Sequence, residues 1–365
     1  MLMSKGFLSG LDAIVSRLIL RVASIILSGI VVLQRITTSL LRSLSRWPQP
    51  RAGLQRAPLA YGMTVVGSAF AIIIVVAAFS GPLTAFLELY SPYDKFGIKR
   101  LYAPDAEGPH WDSRSWLTFE RRLTSTQVDP KDPYFQVRGA SNTLSISGDG
   151  TAESSGDVVR YYISDPEEKK EWKNFEFTMY SMRVSEVDPP SYAGFAVQGR
   201  TGPGHTENAG TNANGYPIQC DGSSYSAAIR YNGSIDFKKE IHWPTYTKEN
   251  PLRTLYPDGV PKNQWIGMKY VVYNINGGQD VKMELWIDET DGKAGGEWKK
   301  VMEYVDSGGW AISSDEPAAL CGYSADEKLL GGGPAIIIRN DGVEKQLYKC
   351  ISIREIAVTP TMDAA

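Results

Sequence analysis

Short segments that alternate apolar and polar residues recur through the C-terminal two-thirds of the chain, separated by Gly- and Asn-rich turns. The segment "FEFTMYSMRV" places Phe175, Phe177 and Met179 on one face of a strand. The segments "QWIGMKYVVYNI" and "VKMELWID" flank Gly277-Gly278, and "PAIIIRND" and "KCISIREIAV" close the chain. The sequence shows no alternation of strands with long helices. The pattern predicts an all-β fold, an antiparallel β-sandwich or jelly roll.

An apolar run without charged residues precedes this region. Residues 61–79 form a 19-residue run, long enough for a helix that spans a bilayer. The first 60 residues carry eight Lys and Arg residues against one acid, so the positive-inside rule places residues 1–60 in the cytoplasm. We therefore predict a single-pass membrane protein with a basic segment (1–60), a transmembrane signal anchor (61–80), a connector (81–100) and an extracellular β-sandwich (101–365).

Three alternatives to this N-terminal interpretation stay open. A signal peptide cleaved after the apolar run would release a secreted protein. Translation that starts at Met63 would remove the basic segment. Residues 11–45, in which apolar residues mix with arginines, are predicted to form either an amphipathic helix on the inner leaflet or a second crossing.

Charge and cysteine content restrict the partners further. The net charge is −3 and the pI about 5.8, so no global basic field favours nucleic acid.

Export favours a disulfide, and we pair Cys220 with Cys321 because both lie in Gly-flanked loops. Cys350 is predicted to be a small core residue. The oligomeric state is left open by the sequence.

A hairpin carries the most informative polar residues. The segments "SYSAAIRY" and "SIDFKKEIHW" flank Asn232-Gly233, a strong signal for a two-residue turn. That turn pairs Tyr225 with Glu240 and Ala227 with Lys238, so that one face carries a polar patch of Tyr225, Lys238, Glu240 and His242. Ile235, Phe237 and Ile241 then point into the core. A bulge would shift the pairing by one residue, and the patch would in the simplest case be a solvated sheet face.

The order of hairpin, "QWIGMKYVVYN", "VKMELWIDE", "GEWKKVMEYVDSGGW" and terminal "KCISIREI" resembles the concanavalin A-like lectin/glucanase superfamily. The chain also resembles membrane-anchored exported proteins of ammonia-oxidising archaea through "DKFGIKRLYAP", "CDGSSY" and "FKKEIHW". The superfamily resemblance implies a jelly roll with a ligand face, hosting lectins, glycosidases or lyases. It leaves a structural Ca²⁺ open, and the sequence predicts no other cofactor and no zinc pattern.

The tripeptide Glu240-Ile241-His242 resembles the Gln-Ile-His strand of alginate-lyase-type enzymes, with Glu in place of Gln. The resemblance implies a catalytic set of His242, Tyr225, Arg200 and Glu240 for β-elimination from a uronate, with Arg230 as the alternative to Arg200. A glycoside hydrolase using Glu284 and Asp288 is the weaker enzymatic alternative, because their spacing is not that of the superfamily's catalytic strand.

Binding without chemistry needs fewer residues: an aromatic platform and a few planar hydrogen-bonding groups. The residues predicted for it are Trp243, Trp286, Lys238, Arg230 and His205, the last in the long loop 199–224. We therefore predict an extracellular, membrane-anchored polysaccharide-binding protein. A polysaccharide lyase or hydrolase and a structural protein of the cell envelope are the alternatives.

Overall fold

The structure is a computed structural model, and it describes residues 91–139, 141–202, 205 and 210–363. The predicted basic segment, the signal anchor and residues 81–90 of the connector lie outside these residues, so they stay predictions. No helix among the described residues has the length and apolar character that crossing a bilayer requires.

The described part of the chain is all-β, as predicted, and all pairs of its named strands are antiparallel. The strands are β1 (His110–Asp112), β2 (Arg121–Thr124), β3 (Val128–Asp129), β4 (Asp132–Arg138), β5 (Thr143–Ile146), β6 (Thr151–Ser164), β7 (Phe175–Glu186), β8 (Gly194–Thr201), β9 (Ser224–Arg230), β10 (Ser234–His242), β11 (Thr245–Tyr246), β12 (Leu252–Thr254), β13 (Trp265–Ile275), β14 (Asp280–Asp288), β15 (Lys299–Asp306) and β16 (Ala335–Glu355). The helices are α1 (Asp315–Leu320), α2 (Pro360–Asp363) and 3-10 turns at Ser113–Leu117, Ile218–Gly222 and Lys293–Gly295.

Strand β16 organises the sheet. One of its edges pairs with β6 along most of its 21 residues. The other edge pairs first with β8 and then with β7, so two groups of strands leave β16 on the same side. Strands β8, β9, β10 and β11 form arm A, and strands β7, β13, β14 and β15 form arm B.

The two arms face each other across one apolar core, so the curled sheet packs on itself as the sheets of a sandwich do. The ring of Phe237 in arm A lies 6.2 Å from that of Tyr270 in arm B. The residues predicted to point inward are buried, as expected from their alternation; they are Phe175, Phe177, Met179, Ile235, Phe237 and Ile241. Removing these side chains from water is the main favourable term in folding.

The outer face of arm B is covered by the chain that precedes β1. Glu176 of β7 accepts hydrogen bonds from the backbone N–H groups of Leu101 and Tyr102 and pairs with Lys269 Nζ at 2.8 Å. Ile98, in the segment predicted as a connector, is 4% exposed. This cover explains why Glu176, which alternation places on an outer face, is buried.

The hairpin between β9 and β10 has a three-residue loop, Tyr231 to Gly233, in place of the predicted two-residue turn. Gly233 adopts a left-handed φ of 86°, which glycine accepts without strain. Tyr225 therefore pairs with Lys239, and Ala227 with Phe237. The predicted pairings of Tyr225 with Glu240 and of Ala227 with Lys238 are wrong by one residue, because the loop contains one residue more.

The predicted disulfide between Cys220 and Cys321 is present. It joins the 3-10 turn Ile218–Gly222 to the end of α1, and so fixes one end of the long loop that follows β8. Cys350, predicted as a core residue, is only half-buried, at a bulge where β16 pairs with β7.

Candidate functional site

A groove of about 360 Å³ opens on the outer face of arm A, next to β6 and β16. Successive side chains of a strand point to opposite faces, so Gln198 of β8, Ser226 of β9 and Lys238 of β10 share this face. The groove is lined by Arg160, Tyr192, Ala196, Gln198, Ser226, Arg230, Lys238, Trp243, Pro244, Tyr246 and Arg339.

Three of the predicted ligand-binding residues meet in this groove: Arg230, Lys238 and Trp243. A fourth, His205, is fully buried behind Trp243, with the two rings 6.0 Å apart in an edge-to-face arrangement. Of the polar face predicted for the hairpin, Lys238 lines this groove.

Glu240 is the centre of a buried polar cluster behind the groove, together with Gln198, Ser224 and His205. Its Oε2 accepts hydrogen bonds from Gln198 Nε2 at 2.9 Å and Ser224 Oγ at 3.0 Å, and lies 3.3 Å from His205 Nδ1. Burial raises the pKa of Glu240 to about 7, although Arg339 nearby favours its charged form. Burial also holds the pKa of His205 well below its ordinary value. The pair is therefore largely uncharged below neutral pH.

The amide oxygen of Gln198, Oε1, has no hydrogen-bond partner among the described residues. Buried polar atoms are nearly always paired, because an unpaired one costs free energy. Gln198 also lines the groove, so it connects this buried cluster to the groove.

Tyr225 and Arg200 lie away from the groove. The hydroxyl of Tyr225 donates to Asp306 Oδ2 at 2.6 Å in the interior between the arms. Arg200 is 2% exposed, and its guanidinium donates to the carbonyl oxygens of Leu329 at 2.6 Å and Lys173 at 2.9 Å. Both side chains serve the packing of the arms.

His242 and Trp286 also lie elsewhere. A ring nitrogen of His242 and the sulfurs of Cys220 and Cys321 lie within 4.8 Å of one another. Those sulfurs are joined as a disulfide, so they are not thiolate metal ligands. Trp286 is on arm B, where its indole N–H donates to Glu284 Oε2 at 2.9 Å. The structure therefore does not bring together the four residues predicted as a catalytic set.

The carboxylates of the hydrolase alternative are fully engaged in structural contacts. Glu284 accepts from the hydroxyls of Tyr102 at 2.6 Å and Tyr273 at 3.1 Å. Asp288 accepts from Tyr180 and from three backbone N–H groups of the turn that follows it. Both carboxylates therefore hold neighbouring segments of the fold in place.

The sequence did not predict eight residues of the groove: Arg160, Tyr192, Ala196, Gln198, Ser226, Pro244, Tyr246 and Arg339. The alternation of "GFAVQGR" would place Gln198 outward on β8. Placing Arg160 and Arg339 requires knowledge that β6 and β16 are neighbours although they lie far apart in the chain, and local periodicity carries no such signal.

No family model matches the chain, and no curated protein matches it in sequence. Among solved structures, the chain is similar to the Ca²⁺/Man₃GlcNAc-bound exoplasmic/lumenal domain of VIP36, with 10% identity, a TM-score of 0.36 and coverage of 70% of this chain and 95% of that one. It is also similar to a protein of unknown function with a galectin-like fold from Bacillus subtilis, with 10% identity, a TM-score of 0.34 and coverage of 66% of this chain and 100% of that one. For the botulinum neurotoxin serotype D binding domain the identity is 12%, the TM-score 0.34, and the coverage 67% of this chain and 50% of that one. Similarity of this degree assigns neither a fold family nor a function.

Proposed function

We propose that the protein binds a polysaccharide in the groove of arm A. The observation that carries this proposal is the presence of three aromatic side chains, Tyr192, Trp243 and Tyr246, in one cavity with planar amide and guanidinium groups. Sugar rings present apolar C–H faces that pack on aromatic rings, and hydroxyls that pair with planar polar groups.

The unpaired amide oxygen of Gln198 supports the same ligand class. This oxygen only accepts hydrogen bonds, and Gln198 lines the groove. A molecule rich in hydroxyl groups supplies a donor to it. A purely apolar ligand would leave it unpaired and would bind less well for that reason.

Location and fold family belong to this proposal as well. We place the groove outside the cell, on a domain held to the membrane by residues 61–80, because of the apolar run and its basic flank. We assign the curled sheet to the concanavalin A-like type on the strand rhythm of the sequence. Binding is preferred over lyase or hydrolase chemistry, because Tyr225 and Arg200 lie in the interior and Glu284 and Asp288 are engaged.

The test is a calorimetric titration of the purified protein with a polysaccharide panel, with polymer length measured before and after. Trp243→Ala should weaken binding roughly tenfold, since an aromatic contact of this kind contributes about 1–2 kcal/mol. Trp286→Ala is the matched control on arm B and should leave binding unchanged. Loss of binding with Trp286→Ala alone would contradict the site, and polymer shortening would favour an enzyme.

A further inference from the structure

We infer that the groove selects a saccharide that carries an anionic group, a carboxylate or a sulfate, over a neutral one. This inference rests on the proposed function and specifies its ligand. Four basic side chains line the groove: Arg160, Arg230, Lys238 and Arg339.

Two aspartates balance part of this charge. Asp341 is shared by two guanidinium groups, since Arg160 Nη1 lies 3.0 Å and Arg339 Nε 3.3 Å from its carboxylate. Asp236 receives Arg230 Nη2 at 2.8 Å, and Lys238 Nζ is 3.9 Å from it. Among the described residues, four cations therefore face two paired carboxylates.

The third carboxylate nearby, Glu240, restores little of the balance. Its raised pKa, about 7, means that much of the population is protonated at neutral pH. The excess of positive charge also acts on Lys238, whose pKa is lowered by burial and further by Arg230. A bound anion would offset this repulsion, whereas a neutral sugar would not.

The basic groove does not reflect a basic protein. Of the 38 Lys and Arg residues, eight lie in the first 60 residues, against one of the 41 acids, which leaves 30 basic and 40 acidic residues in 61–365. The positive groove is thus a local feature of an acidic chain. Such concentration of charge is costly unless a partner uses it.

The aromatic and cationic groups of the groove lie close to one another. The guanidinium of Arg339 lies 5.7 Å from the Tyr192 ring and 6.0 Å from the Tyr246 ring, and Lys238 Nζ lies 5.1 Å from the Tyr246 ring. A sugar ring packed on either tyrosine would place a substituent beside Arg339. Guanidinium groups bind carboxylate and sulfate oxygens with two parallel hydrogen bonds.

The experiment compares polymers that differ only in charge. Polygalacturonate is paired with its methyl-esterified form, and dextran sulfate with dextran, in titrations of the whole protein. We expect the acidic member of at least one pair to bind at least tenfold more tightly, and the difference to shrink in about 1 M salt, where screening is strong. The pair that shows the difference distinguishes carboxylate from sulfate.

A lysine pair links the effect to the groove. Lys238→Gln should weaken acidic-polymer binding about fivefold to tenfold, while Lys169→Gln, which removes an exposed lysine outside the groove, should not. Equal binding of charged and neutral polymers would overturn the inference but leave the proposed function standing. Absence of binding to every polymer would overturn both. Equal loss with both lysine variants would show a non-specific charge effect and overturn the inference.

Discussion

The carboxylate Oε2 of Glu240 lies 3.3 Å from Nδ1 of His205, and both side chains are buried behind the groove of arm A. Burial shifts both pKa values toward the uncharged forms, that of Glu240 upward to about 7 and that of His205 well downward. The charge of the groove therefore changes near neutral pH through one carboxyl group.

The first prediction concerns binding and pH. Ionisation of Glu240 adds a negative charge behind the groove, so binding of an acidic polysaccharide should weaken roughly tenfold as pH rises from 6 to 8. The groups that face Glu240 are Gln198, Ser224, His205, Lys238, Tyr246, Arg160 and Arg339. The pKa of His205 is far below this window, and the pKa of Tyr246 is raised to about 12. Titration calorimetry should find that the Glu240→Gln variant binds the polymer as the wild type does at pH 6. Its binding should not weaken between pH 6 and pH 8.

Stability should vary with pH through the same residue. The folded-state pKa of Glu240 is raised from 4.5 to about 7, so the folded state retains a proton that the unfolded chain releases. Its contribution is present below pH 4.5 and is lost as pH rises to about 7, a loss on the order of 3 kcal/mol. Denaturant unfolding across this range should show a smaller decline for Glu240→Gln. If the free energy of unfolding declined with pH as steeply in the variant as in the wild type, Glu240 would not be held neutral in the folded state. Glu355, whose pKa is also raised to about 7, keeps its own contribution in the variant.

A buried ion pair joins the arms. Lys239 Nζ lies 2.8 Å from Asp306 Oδ2, and both side chains are 0% exposed. Lys239→Met should destabilise the protein by about 3–5 kcal/mol, because it leaves the Asp306 charge buried without its cation. Adding Asp306→Asn should recover part of that loss, since the unpaired charge is then removed. Urea unfolding of both variants measures this; a single-variant loss below about 1 kcal/mol would contradict the pair's role.

Two turn glycines provide a matched test of the hairpin that sets the groove. A Cβ at Gly233, with φ at 86°, would overlap the carbonyl oxygen of Tyr256. Gly277, with φ at 64°, has nothing within 4 Å of an added Cβ. Gly233→Ala should therefore lower the melting temperature clearly more than Gly277→Ala, whose cost is about 1 kcal/mol of backbone strain. Equal effects would show that the close approach at Gly233 is relieved easily.

The sequence predicts the strands well and their partners less well. Alternation identifies the inward faces of β7 and β10, because side-chain direction in a strand is a local property. Alternation does not predict the register of β9 and β10, because a three-residue loop and a two-residue turn share the Asn232-Gly233 signal. That single residue moved Tyr225 from the predicted face to the interior.

Some residues of the candidate site could be predicted from local sequence, and others depend on the long-range order of the sheet. Arg230, Lys238 and Trp243 lie on or beside one hairpin, and local reasoning places them together. Arg160 and Arg339 reach the groove through the pairing of β6 with β16, which depends on the long-range order of the sheet. The disulfide prediction succeeded because Cys220 and Cys321 lie in loops, where sheet register does not matter.

The most direct test of the groove is hydrogen–deuterium exchange of the whole protein with and without the tightest-binding polysaccharide of the panel. Slower exchange is expected in Gly194–Thr201, Ser224–Arg230 and Ser234–His242, and in residues 243–246, with no change in Asp280–Asp288. Protection confined to the strand that carries Trp286, or a bound polymer that protects none of the arm A segments, would contradict the placement of the site.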